Sequence, residues 1–265
     1  MEKNVSAVAI ALACLSGSAF AETPEDSFWA ELSYFYPTIS STARVDVRGT
    51  ARPGTTVSME DELDLDDRKG TPYGTLGMRL GERWRLEFEY YELNRSSSTT
   101  IGRDIEWGNA TYPVGATLDA RLDTTIYRLT GGYSFYREQG RGEAGVGFGL
   151  HVTDLATALS RRGGAEREAR DTLVPLPTVG LYGTYKLSQQ FQLRGRIDYL
   201  SLNYGDYDGS LVNLLLALDW RFSRHWGAGF GYRYVDYKLE ADTSKLVGEI
   251  NYRFKGPTLF VTAGF

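Results

Sequence analysis

Apolar and polar residues alternate along most of this chain with a period of two, the spacing of a β-strand that has two unlike faces. The segments 74–80 and 84–90 show the pattern most clearly. Their even-numbered residues are apolar or glycine, and their odd-numbered residues are Thr, Gly, Arg or Glu. Gly81-Glu82 lies between them, so the two segments are predicted to pair as a hairpin with an apolar outer face.

The same pattern predicts about ten strands connected in sequence by turns. The first is expected at Ser27 to Tyr36 and is expected to end at Pro37, which cannot donate a backbone hydrogen bond. A strictly alternating stretch at 43–48 is interpreted as a short hairpin arm. A polar hairpin at 96–123 and a polar loop at 161–171 are expected to project beyond the other strands. The remaining strands are predicted at 127–135, 144–150, 179–185, 191–199, 214–222, 226–234 and from 246 onward.

The last predicted strand contains a change of phase. Even-numbered residues are apolar in 250–254, whereas odd-numbered residues are apolar in 259–265. A shift of one residue moves every later side chain to the other face unless a β-bulge or a turn intervenes. We expect a bulge at Lys255-Gly256-Pro257, which keeps one long last strand and ten strands in total. A turn at Gly256-Pro257, combined with a strand at 43–48, gives a twelve-strand alternative.

The predicted outer faces are apolar on nearly every strand and carry aromatic residues near the strand ends. Aromatic residues in such positions form belts at the two surfaces of a membrane. The opposite faces are charged, whereas a β-sandwich would need a second apolar layer. Only a closed sheet pairs every backbone group of a β-structure within lipid. The pattern therefore predicts an all-β fold, an antiparallel transmembrane up-and-down β-barrel of about ten strands, with twelve or eight strands as alternatives.

The final nine residues, Pro257 to Phe265, alternate and stop on an aromatic residue. They resemble the closing strand of bacterial outer-membrane β-barrel proteins, which typically end on a phenylalanine that the barrel-assembly machinery recognises. Stretches at 207–210, 248–251 and 255–257 resemble uncharacterised proteobacterial outer-membrane barrel proteins. The resemblance implies location in the outer membrane of a Gram-negative cell, with Phe265 as the assembly signal. It transfers no functional residue to this chain.

The faces predicted to point inward carry eight arginines and six carboxylates. Together with Glu31, the predicted lumen charge network comprises Arg79, Arg85, Glu87, Glu89, Arg128, Arg194, Arg196, Asp198, Asp219, Arg221, Arg233, Glu249 and Arg253. In a narrow barrel such groups pair as guanidinium–carboxylate contacts. A barrel of about ten strands lies between the filled small barrels and the water-filled large ones. We expect the network to fill and close the lumen, and a selective pore lined by these charges is the alternative.

An acidic run at 60–67 is a candidate metal site. Its carboxylates are Glu60, Asp61, Glu62, Asp64, Asp66 and Asp67. Clustered carboxylates provide the oxygen ligands that Ca²⁺ and Mg²⁺ prefer, but the run lacks the glycine and the spacing of an EF-hand. A solvated loop is the favoured interpretation, with a calcium or magnesium site as the alternative.

Two histidines limit the catalytic possibilities. His151 is expected to point inward, three residues before Asp154, and a Ser-His-acid arrangement would need a serine beside it. Ser134 and Ser160 are candidates by strand neighbourhood alone. His225 lies in a predicted periplasmic turn. We interpret His151 as a hydrogen-bonded lumen residue and expect neither enzymatic activity nor a cofactor. A lipid-modifying enzyme that uses His151 is the weaker alternative.

The N-terminus has the pattern of an export signal. Val5 to Leu15 is apolar but too short to span a bilayer, and Ala19-Phe20-Ala21 has the small-x-small cleavage pattern. The sequence therefore predicts a signal peptide at 1–21, cleaved after Ala21, and a barrel domain at 22–265. A lipoprotein signal ending at Cys14 is the alternative. Cleavage after Ala21 would leave no cysteine, and therefore no disulfide and no thiolate metal site.

Charge and length leave the biological role open. The 265 residues carry 29 basic and 34 acidic side chains, for a net charge of −5, which indicates no nucleic-acid partner. We expect a structural or surface-interaction protein in contact with outer-membrane lipids, whose long external loops bind lipopolysaccharide or other external partners. A narrow pore for small solutes is the alternative.

Overall fold

The structure is a computed structural model, and it describes residues 26–47, 54–164, 167–204, 207–242 and 246–265. The predicted signal peptide and its cleavage site lie outside these ranges. The strands are, in chain order, β1 (Phe28–Phe35), β2 (Thr38–Val47), β3 (Val57–Ser58), β4 (Thr71–Leu80), β5 (Trp84–Thr100), β6 (Ile105–Trp107), β7 (Ala110–Tyr112), β8 (Thr117–Glu138), β9 (Gly142–Arg161), β10 (Arg167–Lys186), β11 (Phe191–Tyr204), β12 (Tyr207–Arg221), β13 (Trp226–Asp242) and β14 (Leu246–Gly264). The described ranges contain no helix that is long and apolar enough to cross a membrane.

Ten of these strands form one closed antiparallel barrel, which confirms the predicted fold class and strand number. Their order around the barrel is β1-β4-β5-β8-β9-β10-β11-β12-β13-β14, and β1 pairs with β14 to close the ring. Each of the ten strands therefore has a neighbour on both sides, as a sheet within lipid requires. β2 continues from β1 along β14, β3 pairs with β2, and β6 and β7 form a separate hairpin.

The last strand contains neither a bulge nor a turn, so the predicted phase slip was wrong. β14 pairs with β13 in one unbroken register from Val247 to Ala263. Tyr252 and Phe254 were predicted to face outward, but they are inside the barrel, 4% and 0% exposed. The apolar residues change face along this strand because the inside of the barrel is itself apolar near the external end. The alternation of side chains continues, and only the polarity of the two sides changes.

The first strand ends at Phe35, just before Pro37, as the sequence predicted, and the chain then continues as β2 in the same direction. β1 and β2 share one register on β14, on both sides of the proline. The backbone N–H of Tyr36 donates to Pro257 on β14, so the nitrogen of Pro37 points the other way, beyond the start of β4. Proline has no donor to offer on that side, where pairing with the segment before β4 resumes at Thr38 and Ile39. The predicted hairpin arm at 43–48 is the external part of β2, which pairs with β3, except for Arg48, which lies outside the described residues.

The outward face of the barrel carries a continuous belt of exposed apolar side chains. Its members, each at least 37% exposed, include Leu32, Tyr34, Leu76, Trp84, Phe88, Leu129, Phe148, Leu181, Tyr199, Leu216, Trp220, Phe230, Leu259 and Val261. Lipid is the solvent that such a belt requires, because water would leave this area unfavourably exposed.

The two ends of the barrel differ. The backbone N–H groups of Ser27 and Phe28 donate to the carbonyl of Phe265 at 2.7 and 2.9 Å, so both ends of the described barrel lie together. The four short turns between neighbouring strands, at 81–83, 139–141, 187–190 and 222–225, lie at this same end, which we assign to the periplasm.

The opposite, external end projects well beyond the bilayer. β5, β8, β9 and β10 contain 17 to 22 residues, whereas about 9–11 residues of a strand cross the bilayer. The projecting part has its own apolar core, in which Ile105, Trp107, Tyr112 and Leu118 are at most 4% exposed. It is therefore a folded platform, in contrast to the polar loops expected from the sequence.

Candidate functional site: the barrel interior

A layer of paired charges crosses the middle of the barrel. Glu89 on β5 accepts hydrogen bonds from Arg233 on β13 at 2.6 Å and from Arg128 on β8 at 3.3 Å. A third guanidinium, that of Arg196 on β11, lies 3.5 Å from the same carboxylate. These side chains are at most 10% exposed. They meet because every second residue of each strand points inward, and Glu89 lies opposite Arg128 in the β5–β8 register.

Asp198 extends this layer on the β11 side. Its carboxylate lies 3.2 Å from Arg196 and accepts a hydrogen bond from the side-chain amide of Asn213 at 2.8 Å. The amide oxygen of Asn213 in turn accepts from Arg233 at 3.1 Å. A buried charge is costly unless it is paired and hydrogen-bonded. All of its charges are paired, through contacts that join five different strands, although Nε and Nη2 of Arg196 have no hydrogen-bond partner. We call this set the charge layer.

A vestibule lies between the charge layer and the periplasm. It is a cavity of about 180 Å³, open at the periplasmic end. The guanidinium of Arg85 forms part of its inner end, stacked 5.2 Å from the Trp29 ring and 4.4 Å from the Tyr182 ring. Ion pairs line its wall. They are Arg79 with Glu143, Arg194 with Glu31 and Asp219, and Arg221 with Asp26.

On the external side of the charge layer, apolar side chains fill the lumen. The ring of Phe254 lies at the centre, 5.3 to 6.3 Å from the rings of Phe35, Tyr91, Tyr237 and Tyr252. We call this set the apolar layer; its other members are Ile39, Tyr73, Leu93, Ile126, Leu176, Leu200, Leu211 and Val235. The two layers are in contact, because the guanidinium of Arg233 lies 5.0 Å from the ring of Tyr91.

The acidic run folds over the external end of the lumen. Leu63 and Leu65 are 2% and 3% exposed and belong to the apolar core of the external platform. Arg95, which is 1% exposed, donates to Glu60 at 2.5 Å, to Ser41 at 2.9 Å and to the carbonyl of Asp66 at 3.1 Å. Asp61, Asp64, Asp66 and Asp67 are exposed, as expected for a solvated loop, whereas the two leucines between them are buried. We call residues 57–67 the hatch segment.

The carboxylates of this segment have separate partners. Glu62 pairs with Arg103 at 2.7 Å, whereas Asp61 bonds to Ser58 at 3.0 Å. Hydrogen bonding to Glu62 raises the pKa of Arg103 above its ordinary value. In the part of the chain that the structure describes, no group of three or more His, Cys, Asp or Glu side chains is arranged to hold a metal ion.

All but two residues of the predicted lumen network lie inside the barrel. Arg253 faces outward, is 49% exposed, and pairs with Asp236 at 2.7 Å. Glu249 lies on the same outward face of β14 and accepts a hydrogen bond from Asn251. Both assignments were wrong because they depended on the supposed phase slip.

Sequence reasoning missed three charged residues of the interior. Arg95 and Glu143 continue the inward faces of β5 and β9, so the alternation could have identified both. Asp26 precedes β1 and has no periodic signal, and its contact with Arg221 depends on the tertiary structure.

His151 is buried, 1% exposed, beside the charge layer. Its Nδ1 lies 3.4 Å from the hydroxyl of Thr178, and it faces Arg128 across the β8–β9 register. Ser134 bonds to Glu143 near the vestibule, and Asp154 is exposed to the outside. The described residues therefore form no Ser-His-acid arrangement around this histidine.

The C-terminal residue packs against a periplasmic turn. The ring of Phe265 stacks on that of His225, with centroids 4.9 Å apart and planes 18° apart. Nδ1 of His225 also lies 2.8 Å from the carbonyl of Gly264. The role of Phe265 as an assembly signal stays a prediction.

A family model described as outer membrane protein beta-barrel domain matches residues 7–222 of the chain. The chain belongs to this family. It is therefore a β-barrel protein of the bacterial outer membrane, as the alternation and the C-terminal strand predicted. No curated protein sequence matches it.

One solved structure shares the fold of this outer-membrane barrel, and two others have a weaker likeness, with TM-scores below 0.5. The outer membrane protease OmpT from Escherichia coli is 13% identical, with a TM-score of 0.56, over 92% of this chain and 98% of the other. The translocator domain of the autotransporter NalP from Neisseria meningitidis is 12% identical, with a TM-score of 0.44, over 89% and 88%. The attachment invasion locus protein Ail of Yersinia pestis is 10% identical, with a TM-score of 0.35, over 88% and 99%. At these identities the likeness concerns the fold alone, and it assigns no activity to this barrel.

Proposed function

We propose that this barrel is closed to solutes and acts as a structural and surface-interaction protein of the outer membrane. Its external platform is the part that contacts lipopolysaccharide or other external partners. One observation carries the proposal: the lumen is filled without interruption by the charge layer, the apolar layer and the hatch segment.

Opening a path for solutes would be costly at each of these levels. The side chains of Arg128 and Arg233 are 0% and 1% exposed, so a hydrated ion finds no water beside them. Separating such a pair leaves an uncompensated buried charge, at a cost of about 3–5 kcal/mol. The apolar layer beyond it would have to take up water around Phe254, Val235 and Ile126, which are all fully buried. The narrow-pore alternative has the vestibule in its favour, but the vestibule ends at the charge layer.

The external platform supports a role in interaction. It has an apolar core of its own, in which Ile105, Tyr112 and Leu118 are fully buried. An ordered surface presents side chains in fixed positions and loses little conformational freedom on binding.

Single-channel recording in planar bilayers tests the closed lumen. Refolded full-length protein is expected to give no conductance steps, with an open porin measured in the same bilayers as the positive control. Reproducible steps from the pure protein would contradict closure and favour the pore.

A second measurement tests the platform. Replacing residues 102–115 by a Gly-Ser linker of equal length removes the β6–β7 hairpin and leaves all ten barrel strands. We expect this variant to keep the heat-modifiable electrophoretic mobility of a folded barrel and to bind complete lipopolysaccharide at least tenfold more weakly than the wild type. Unchanged binding would remove the platform as the contact surface.

A further inference from the structure

The outer wall of the barrel carries a basic row immediately beyond its aromatic belt. Thr38 pairs with Lys255 on one side and forms a β-bridge with Arg68 on the other. Partners in antiparallel pairs point to the same face about 5 Å apart. Thr38, Lys255 and Arg68 are all exposed. The three side chains therefore stand side by side on the outward face, with two cations flanking a hydroxyl. We call these three residues the rim patch.

The rim patch lies at the height of the outer-leaflet headgroups. Ten residues separate Phe28, beside the periplasmic end, from Thr38. That is about 33 Å along a strand, or about 25 Å of height at a tilt of about 40°, which equals the apolar band of an outer-membrane barrel. Tyr36 and Tyr232, which are half exposed, lie one outward position closer to the bilayer centre, at the depth of interfacial aromatic residues.

The cations of the rim patch have no carboxylate partner among the described residues. No ion pair there involves Lys255 or Arg68. The nearest acid on the neighbouring strand, Asp236, is already bound by Arg253 at 2.7 Å and by the hydroxyl of Tyr234 at 2.9 Å. These two bonds leave Asp236 little capacity to neutralise the patch.

Acidic residues lie at the corresponding height on the nearby strands β5 and β8, which follow β4 around the ring. There the paired rings of Tyr90 and Tyr127, with centroids 5.2 Å apart, mark the edge of the belt. The next outward residue of β5 after Tyr90 is Glu92. On β8, Asp123 lies two outward positions beyond Tyr127. The exposed cation on this part of the barrel, Arg121, is paired with Asp123 at 2.5 Å, in contrast to the two cations of the rim patch. The cationic side is therefore a local feature of the β14–β2 wall.

We infer that the rim patch binds the phosphate of a lipid A molecule in the outer leaflet. The ammonium group of Lys255 and the guanidinium of Arg68 donate to the phosphate oxygens, with the hydroxyl of Thr38 between them. Acyl chains of the same lipid lie along the apolar wall below, against Tyr36 and Leu259. This site is independent of the closed lumen and of the external platform, because it uses neither.

Binding of lipid A, which lacks the saccharide core, to full-length protein in detergent micelles tests the site. The variant Lys255→Gln/Arg68→Gln removes both cations. The control variant Arg83→Gln/Arg141→Gln removes two exposed cations of the periplasmic turns, so its net charge is the same. A basic residue near an anionic lipid surface contributes about a fivefold change in affinity. We expect the rim-patch variant to bind about 25-fold more weakly and the control variant to stay within twofold of the wild type, with both retaining the heat-modifiable mobility of a folded barrel.

Three further ligands identify what is bound. Dephosphorylated lipid A is expected to bind the wild type and the rim-patch variant equally weakly. Phosphatidylglycerol that binds as tightly as lipid A would overturn the assignment to lipid A, and inorganic phosphate that competes at millimolar concentration would show a site for free phosphate. Equal weakening in the two double variants would show an effect of net charge alone and would also overturn the inference.

Discussion

Neutralising Glu89 is the most direct test of how tightly the interior is built. The substitution Glu89→Gln keeps the shape of the side chain but removes the carboxylate that faces Arg233, Arg128 and Arg196 at 2.6, 3.3 and 3.5 Å. Breaking a buried pair by removing one charge typically costs about 3–5 kcal/mol, because the partner is left buried and uncompensated. Here three guanidiniums lose their shared acceptor, so we expect a loss in the free energy of unfolding within that range.

Urea titration of the barrel in phosphatidylcholine vesicles, followed by tryptophan fluorescence, measures this loss. For an m-value of about 2 kcal/mol per molar urea, the midpoint is expected to fall by about 2 M. Glu92→Gln is the matched control, because Glu92 lies on the same strand but is exposed. Its expected change is within about 0.5 kcal/mol. If the two variants unfold at the same urea concentration, the charge layer is hydrated, and the physical reasoning for a closed lumen is refuted.

A second charge removal separates pairing from packing. The double variant Glu89→Gln/Arg233→Met removes one acid and one base together and leaves Arg128 and Arg196 beside Asp198. We expect it to lose less stability than the sum of its single variants, because the net charge of the layer is then the same as in the wild type. Additive losses would indicate that Glu89 and Arg233 do not interact.

Two further predictions concern the hatch segment and the glycines of the wall. Arg95→Met is expected to speed amide exchange in residues 57–67 about 100-fold, since about 3 kcal/mol of buried pairing is lost. Arg103→Met, at an exposed pair, is expected to change the exchange rate less than twofold. Equal rates in the two variants would contradict the role of Arg95 in holding the hatch segment. Gly229→Ala is expected to lower the free energy of unfolding by about 1–3 kcal/mol in the urea titration, because the added Cβ would meet a strand carbonyl and an aromatic ring. Gly74→Ala, whose Cβ meets open space, is expected to lower it by under about 0.5 kcal/mol. Similar costs at both positions would show that the interior is not closely packed.

The sequence by itself determined the class of fold and most of the faces. Lipid requires an apolar outer side on every strand, so the alternation in β4, β5 and β8–β13 had one solution, and it placed Glu87, Glu89 and Arg128 inside the barrel as the structure has them. Ten strands followed from counting such segments, because each crossing of the bilayer needs its own alternating run.

Only the tertiary structure decided what the alternation means outside the lipid. Beyond the belt the outside is polar and the inside is apolar, so Phe254 and Tyr252 have the pattern of lipid-facing residues and yet fill the lumen. The pairing of Arg233 with Glu89, 144 positions apart, depends on ring closure and strand tilt, which no local pattern contains. The contact of the hatch segment with the buried Arg95 likewise depends on the space that the closed barrel leaves at its external end. Alternation fixes the two faces of a strand, but the environment of each face is set by the other strands.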